Sequence, residues 1–394
     1  MNERARRILK ENIDAIGIFL LMLGIFSYIM FIMKGYSDLR PHANIALEML
    51  KEHRLLSTNF LMYFLVNLLT FFTGSIYPMR AALVLLISLA NTAKYIIVRN
   101  AFEELATVKT AKWLSFAMLF VYIIPIKYYL KPLVIFISSD NLYLGYVVPN
   151  VWHNSTILCM MPFAVACYLL SVKQFAEYSE RRNWQITILL ILSILVKPSF
   201  FFIYIVSFPV IMFSRYGLSK EFYHSLIPII LGCLCLAYEY LTIYEVGASD
   251  GSGVVINIAQ LFTLDFWKPR ISYLIVSFAF PILFVFTYAR KIFIDREFWF
   301  ILLMVVCSLG IMWCCQETGT RAAHGNFSWQ AIAAMWFVYY YILKTIIKEE
   351  SVANSNHPAC RGIRNACVVL YTFGLHVIMG LIYLAKFLIF ENIC

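Results

Sequence analysis

Three short polar stretches carry the residue types that acid–base and phosphate-binding chemistry need. The first, Gly35 to Leu50, places Asp38, Arg40 and His42 close together, directly after a long apolar segment. An aspartate can accept a proton in catalysis, and a helix N-terminus favours a carboxylate or phosphate beside it. This stretch predicts a functional carboxylate at a helix end, with a plain helix cap and solvated charges as the alternative.

The second stretch, Asn141 to Ile157, brings Trp152, His153 and Asn154 together just before another apolar segment. Aromatic faces beside amide and imidazole groups are surroundings that bind sugar hydroxyls. These three residues are therefore predicted to contact a sugar ring. The alternative is an interfacial Trp next to a solvated His.

The third stretch, Gln316 to Gln330, contains Glu317, Arg321, His324 and Asn326 between two apolar segments. Arg321 with His324 can hold a phosphate or pyrophosphate, and Glu317 can orient the arginine. Asn326 is a further candidate for substrate contact. The alternative is an Arg–Glu ion pair that only holds the loop together.

One more basic residue, Lys197, interrupts an apolar run together with Pro198. Proline breaks a helix, and a lysine at membrane depth is costly unless it is paired or wetted. The pattern predicts two half-length helices that meet at a wet, protein-lined cavity. A snorkelling lysine at an ordinary tight turn is the alternative.

The elements that must position these residues are membrane helices. Of 394 residues, 62% are hydrophobic and only 14% are charged, which excludes a soluble globular domain. Apolar stretches of spanning length recur from end to end. The sequence therefore predicts an all-α fold: a polytopic transmembrane helical bundle of about 10–12 spans, forming a single integral membrane domain over residues 1–394.

The net charge and the cysteines indicate which ligands and partners the sequence favours. The net charge of +10 does not indicate nucleic acid, because Lys and Arg gather in loops next to anionic lipid. The ten cysteines form no zinc spacing and are interpreted as small hydrophobic residues. No motif demands a cofactor; His42, His153 and His324 can meet at a divalent metal only in three dimensions, so none is indicated.

Lys and Arg also predict orientation. The predicted spans lie at approximately 15–33, 81–98, 113–131, 156–172, 186–196, 199–213, 225–243, 271–289, 298–314, 329–347 and 366–389. The basic loops and the tail 1–14 are assigned to the cytoplasm. The extracytoplasmic face then receives the loops 35–56, 132–155, 244–270 and 315–328, and the break at Lys197.

The first extracytoplasmic loop is predicted to contain a surface helix, and a short apolar piece follows it. Ala43, Ala46, Leu47 and Leu50 follow helical spacing, so residues 42–53 are predicted to form an amphipathic helix on the membrane surface. The apolar piece 60–73 after it is short for a span. Because the chain must cross an odd number of times before the basic loop 94–112, this piece creates a parity problem.

The layout resembles the GT-C superfamily of integral membrane glycosyltransferases. In that family an acidic catalytic residue follows the first span and precedes an interfacial helix, positions held here by Asp38 and the segment 42–53. Many members have a second acidic residue, and Asp140 is the candidate for it in this chain. Other members have two adjacent acidic residues in the first loop, and this chain has no such pair. The resemblance implies a polyprenyl-phosphate-linked sugar donor, with its phosphate held by basic residues at the outer membrane surface.

The resulting hypothesis is an inverting sugar transfer to a glycan or lipid-linked acceptor, by a protein surrounded by the lipids of the cell membrane. Asp38 is the general base, and the candidate substrate-binding residues are Arg40, His42, Asp140, Trp152, His153, Asn154, Lys197, Glu317, Arg321, His324 and Asn326. The alternatives are a polymerase or ligase acting on undecaprenyl-diphosphate-linked glycans, a transporter or flippase, and a membrane acyltransferase.

Overall fold

The computed structural model describes residues 12–35, 37–53, 57, 60–125, 145–242, 253–319, 325–355 and 360–389. These residues form fourteen α-helices and one short pair of strands, which confirms the predicted all-α membrane fold. Within the described ranges, nine helices are long and apolar enough to cross a membrane. The chain is therefore a multi-pass membrane protein.

The first half of the chain contains seven helices. In chain order they are α1 (Ile13–Phe31), α2 (Leu39–Glu52), α3 (Phe60–Leu69), α4 (Ile76–Glu103), α5 (Val108–Phe120), α6 (Ser155–Ala176) and α7 (Glu180–Val196). Helix α4 packs against α1, α5 and α6, and α6 packs against α7.

The second half contains seven more helices and both strands. The helices are α8 (Ser199–Tyr216), α9 (Lys220–Ser225), α10 (Ile227–Tyr240), α11 (Leu264–Ile292), α12 (Arg296–Cys314), α13 (Trp329–Ser355) and α14 (Cys360–Ile389). Strands β1 (Val254–Ile256) and β2 (Cys315–Glu317) pair antiparallel, with Val254 opposite Glu317. This pairing was not predicted from the sequence.

Helix α13 forms the centre of the bundle. Its side chains Trp336, Tyr339 and Tyr340 are almost completely buried, and the rings of Trp336 and Tyr340 stack at 5.9 Å. Helices α8, α12 and α14 pack around it. Because lipid tails are as apolar as these side chains, close packing and hydrogen bonds rather than hydrophobic burial hold such helices together.

The predicted surface helix is present as α2, which begins three residues earlier than expected. Ala43 and Ala46 are buried, as the spacing predicted, while Leu47 and Leu50 are partly buried. The helix ends at Glu52, and the backbone of the next residue, His53, is left-handed with φ 50°. Helix α2 packs on α3, where the Asn67 amide donates to the Ala46 carbonyl at 3.1 Å.

Helix α3 resolves the parity problem. It has 10 residues, so it rises about 15 Å, roughly half of a hydrocarbon core of about 30 Å. Helix α4, with 28 residues, is long enough to cross alone. By length, α4 is therefore the one described helix between α2 and residue 103 that can span a membrane.

Three predicted spans have different lengths in the structure. The span expected at 113–131 ends as a helix at Phe120, where the Tyr122 N–H turns to the His376 carbonyl at 3.1 Å. The helices flanking Lys197 are not half-length: α7 has 17 and α8 has 18 residues. Each is therefore about 26 Å long, close to the thickness of the hydrocarbon core.

Candidate functional site

A cavity of about 980 Å³ lies at one end of the bundle, where several helices begin or end. Helices α7, α10 and α12 end beside it, and α2, α6, α8, α11 and α13 begin there. These are the helix ends that the Lys and Arg distribution placed together on one side of the membrane. Seven of the predicted site residues line the cavity: Asp38, His42, His153, Asn154, Lys197, Glu317 and Asn326.

Asp38 stands directly before α2, yet its side chain makes no capping hydrogen bond to that helix. Its backbone N–H donates to the His153 carbonyl at 3.2 Å, and its Oδ2 accepts from the Asn154 amide at 3.0 Å. Ser37 provides the local contact instead, because its Oγ accepts from the Leu39 N–H at 3.2 Å. The Asp38 carboxylate is therefore turned toward the start of α6.

Asn154 connects that carboxylate to a buried cation. It caps α6, since its Oδ1 accepts from the Ile157 N–H at 3.0 Å, and it also accepts from the Thr156 hydroxyl at 2.8 Å. The Thr156 Oγ1 in turn accepts from the Lys197 ammonium at 3.1 Å. A hydrogen-bonded chain thus runs from Lys197 to Asp38 through two neutral side chains.

The Lys197 ammonium lies inside the protein rather than snorkelling to a surface. The residue follows α7 directly, is 7% exposed, and its Nζ lies 5.4 Å from the centre of the Trp329 ring. Burial lowers the pKa of Lys197 to about 8, although Asp38 and Glu317 act in the opposite direction. The ammonium therefore remains mostly charged at pH 7 and can attract an anion.

The two histidines of the cavity are neutral at pH 7. Burial lowers the pKa of both His42 and His153 to about 4, against the raising influence of Asp38 on each. The His42 Nδ1 lies 2.6 Å from the Tyr63 hydroxyl. These imidazoles can therefore offer hydrogen bonds to a ligand but do not add positive charge.

The opposite wall carries a carboxylate–amide pair. Glu317 is the last residue of β2, and its Oε2 accepts a hydrogen bond from the Asn326 amide at 2.7 Å. Strand β1 fixes the position of Glu317 by pairing with it through Val254. Glu317 and Asn326, near the two ends of the stretch Gln316 to Gln330, thus line the cavity.

Two candidate residues do not line the cavity, so their predicted substrate contacts are not supported. Arg40 turns back to the end of α1, where its Nε donates to the Met30 carbonyl at 3.1 Å and satisfies an acceptor that the helix leaves unpaired. Trp152 is 2% exposed, with its ring 6.1 Å from that of Phe26 and 5.6 Å from that of Phe120.

Three other candidates, Asp140, Arg321 and His324, lie outside the described residues. The stretch predicted to hold a phosphate through Arg321 and His324 is therefore represented in the structure only by its two ends, Gln316 to Gly319 and Gly325 to Gln330. Their predicted roles stay predictions.

Two ionisable residues that line the cavity are not among the predicted site residues. Arg270, in the second turn of α11, lies with its guanidinium 3.9 Å from the Phe266 ring centre. Glu239 is near the end of α10, and it is the single acidic residue of a predicted apolar span. A lone ionisable residue within such a span was the available signal.

The cavity combines three kinds of chemistry. A carboxylate can take a proton, a buried ammonium can hold a phosphate, and aromatic faces can stack on a sugar. The aromatic rings come from Tyr63, Tyr146, Phe202, Tyr240, Phe266, Trp313, Phe327 and Trp329. Over the residues that the structure describes, no group of three or more His, Cys, Asp or Glu could hold a metal ion.

Comparisons with known proteins do not supply a function. No protein-family model matches the chain, and no curated protein matches it. The function is therefore argued from the chemistry of the cavity.

Proposed function

We propose that the protein is an integral membrane glycosyltransferase of the GT-C type, transferring a sugar from a polyprenyl-phosphate-linked donor to a glycan or lipid-linked acceptor. The observation that carries the proposal is the hydrogen-bonded network that joins two residues of one cavity, Asp38 and Lys197, through Asn154 and the buried Thr156. A base for the acceptor and a cation for the leaving phosphate are the two groups that this transfer needs.

The direction of the cavity follows from charge. The helix ends around it are opposite the basic loops, and basic loops stay in the cytoplasm. The proposal therefore places the cavity at the extracytoplasmic face of the cell membrane, with the N-terminus in the cytoplasm. In this orientation Lys197 directly follows the extracytoplasmic end of α7, on the side of the membrane where a polyprenyl phosphate of the outer leaflet presents its phosphate.

The chemical step is a single displacement at the anomeric carbon. The acceptor hydroxyl oxygen forms the new bond, and the bond from the anomeric carbon to the phosphate oxygen breaks with its electron pair going to the phosphate. Lys197 stabilises the charge that grows on that phosphate. Asp38 takes the hydroxyl proton, and the Asn154 amide orients its carboxylate at 3.0 Å.

The size and lining of the cavity support this ligand. A volume of about 980 Å³ is at the upper end of small-molecule sites, so a sugar phosphate and an acceptor group fit together. The walls supply aromatic faces and the neutral imidazoles of His42 and His153 for sugar hydroxyls. A lipid-linked sugar donor also needs no nucleotide-binding motif, and the sequence contains none.

The test is Asp38→Asn in a host from which the gene has been deleted. Lipid-linked saccharides are extracted and their masses are measured. We expect the deletion strain to accumulate a saccharide lacking one sugar, the wild-type gene to restore it, and Asp38→Asn to lower transfer by about 100-fold or more, because the base is lost.

Asp265→Asn is the matched control, because this aspartate is exposed and paired with Lys268; it should restore transfer fully. The purified Asp38→Asn protein should keep the wild-type melting temperature. Near-normal transfer by this variant would remove Asp38 from the mechanism. Accumulation of complete single repeat units in the deletion strain would instead identify a polymerase.

A further inference from the structure

Glu239 is an ionisable group of the cavity that the proposed reaction does not use. It lies one residue before the end of α10, is 2% exposed and lines the cavity beside Leu236 and Tyr240. Neither carboxylate oxygen accepts a hydrogen bond from any residue in the described part of the chain. Within the described ranges, both oxygens of this nearly buried carboxyl group are thus without a donor.

Such an arrangement is costly, because burying a polar group without hydrogen bonds carries a penalty of about 1–3 kcal/mol or more. Other carboxylates of the cavity are treated differently: Asp38 accepts from Asn154, and Glu317 accepts from Asn326. Native structures rarely leave buried acceptors unsatisfied, and an exception that faces a cavity is explained by a ligand that brings the donors.

We propose that Glu239 binds hydroxyl groups of the donor sugar, an inference that rests on the proposed function. A buried carboxyl group accepts hydrogen bonds from hydroxyls and, when protonated, also donates one, so it matches the hydroxyl groups of a sugar ring. Its two oxygens can accept from two neighbouring hydroxyls of one ring. A lone carboxylate is a poor metal site, and the described residues around it contain no cluster of three possible ligands.

The position of Glu239 fits the donor. Helices α7 and α10 pack side by side, and both end at the cavity, α7 with Lys197 and α10 with Glu239 and Tyr240. A phosphate held at Lys197 keeps its sugar within the same cavity. The rings of Tyr240 and Phe266, which also line it, offer faces for that sugar.

The experiment measures dissociation constants by microscale thermophoresis with the full-length protein in lipid nanodiscs. The probes are undecaprenyl phosphate alone and its glucose, galactose and mannose derivatives. We expect the wild-type protein to bind at least one derivative about 10-fold more tightly than the bare phosphate lipid. Glu239→Leu should lose this preference and bind bare undecaprenyl phosphate as the wild type does.

Glu239→Gln keeps one acceptor oxygen and should retain part of the preference. Glu177→Leu, which changes an exposed glutamate outside the cavity, should retain all of it. A purely structural role predicts a lower melting temperature for Glu239→Leu, whereas loss of a buried, unpaired carboxylate predicts an equal or higher one.

The outcomes separate the two proposals. A sugar preference that survives in Glu239→Leu overturns the inference about Glu239, as does a wild-type protein that binds every lipid equally. If the wild-type protein binds no undecaprenyl phosphate lipid at all, the proposed donor class fails first. A preference for sugar on the donor also distinguishes this site from one that contacts only the acceptor.

Discussion

Buried charges at the two ends of the bundle are satisfied in different ways. Away from the cavity, at the start of α1, Asp14 lies 2.9 Å from the Arg99 guanidinium and 3.0 Å from the Lys112 ammonium. Opposite charges here meet directly, and Tyr95 adds a hydrogen bond at 2.6 Å. We call Asp14, Tyr95, Arg99 and Lys112 the closed cluster.

The cavity network has the reverse arrangement. The buried Lys197 ammonium donates to the neutral hydroxyl of Thr156, and Glu239 accepts no hydrogen bond from any described residue. A cation and a carboxylate in direct contact neutralise each other's charge. Charged groups that are separated by neutral side chains can still attract a charged or polar ligand. From this difference we expect the closed cluster to stabilise the fold and the cavity network to bind a ligand.

The largest expected effect is on stability, at the closed cluster. Arg99→Met leaves Asp14 without its nearest cation in a mostly buried place. Removing one partner of a buried ion pair lowers stability by about 3 kcal/mol. The melting temperature in detergent should fall clearly, while the affinity for undecaprenyl phosphate should not change.

Glu103→Gln is a milder control at the same place, because Glu103 contacts Arg99 only at 3.5 Å and is itself more exposed. If Arg99→Met lost lipid affinity at an unchanged melting temperature, the closed cluster would belong to the binding machinery, and the contrast between the two ends would fail.

The second prediction concerns the cavity, where a substitution should lower lipid affinity and leave stability unchanged or higher. Among the described residues, the Lys197 ammonium donates its hydrogen bond to a hydroxyl and not to a carboxylate. Lys197→Met therefore breaks no ion pair, and the melting temperature should be equal or higher. The affinity for undecaprenyl phosphate should fall about 10- to 100-fold, because a charge-assisted hydrogen bond is lost. Microscale thermophoresis and a melting curve measure both quantities.

Lys268→Met is the matched control, since Lys268 is exposed and paired with the exposed Asp265. It should change neither quantity. A Lys197→Met protein that melts at a much lower temperature and binds the lipid normally would make Lys197 a structural residue.

The sequence predicts those parts of this comparison that depend on local pattern. Apolar runs predict the spans, and four apolar residues at helical spacing predict α2. The assignment of loops to one face by Lys and Arg also predicts that Asp38, Asn154 and Lys197 share one side of the membrane. Their meeting in one cavity follows because the helix ends converge there.

Side-chain direction and long-range pairing lie beyond such patterns. Trp152 and His153 are neighbours, yet the Trp152 ring packs against Phe26 and Phe120 whereas His153 lines the cavity. The pairing of β1 with β2 joins segments about sixty residues apart and is set by the bundle between them. Glu239 was concealed because one acidic residue barely changes the hydropathy of a span.

The smallest expected effect tests whether the cavity cation titrates as its burial predicts. The pKa of Lys197 is lowered to about 8, so its ammonium is present at pH 7 and mostly lost at pH 9. A phosphate monoester has its second pKa near about 6 and keeps its charge over this range. Affinity for undecaprenyl phosphate should therefore fall about 10-fold between pH 7 and pH 9. Lys197→Arg stays charged throughout, so its affinity should remain constant, and an equal fall in this variant would assign the titration to another group.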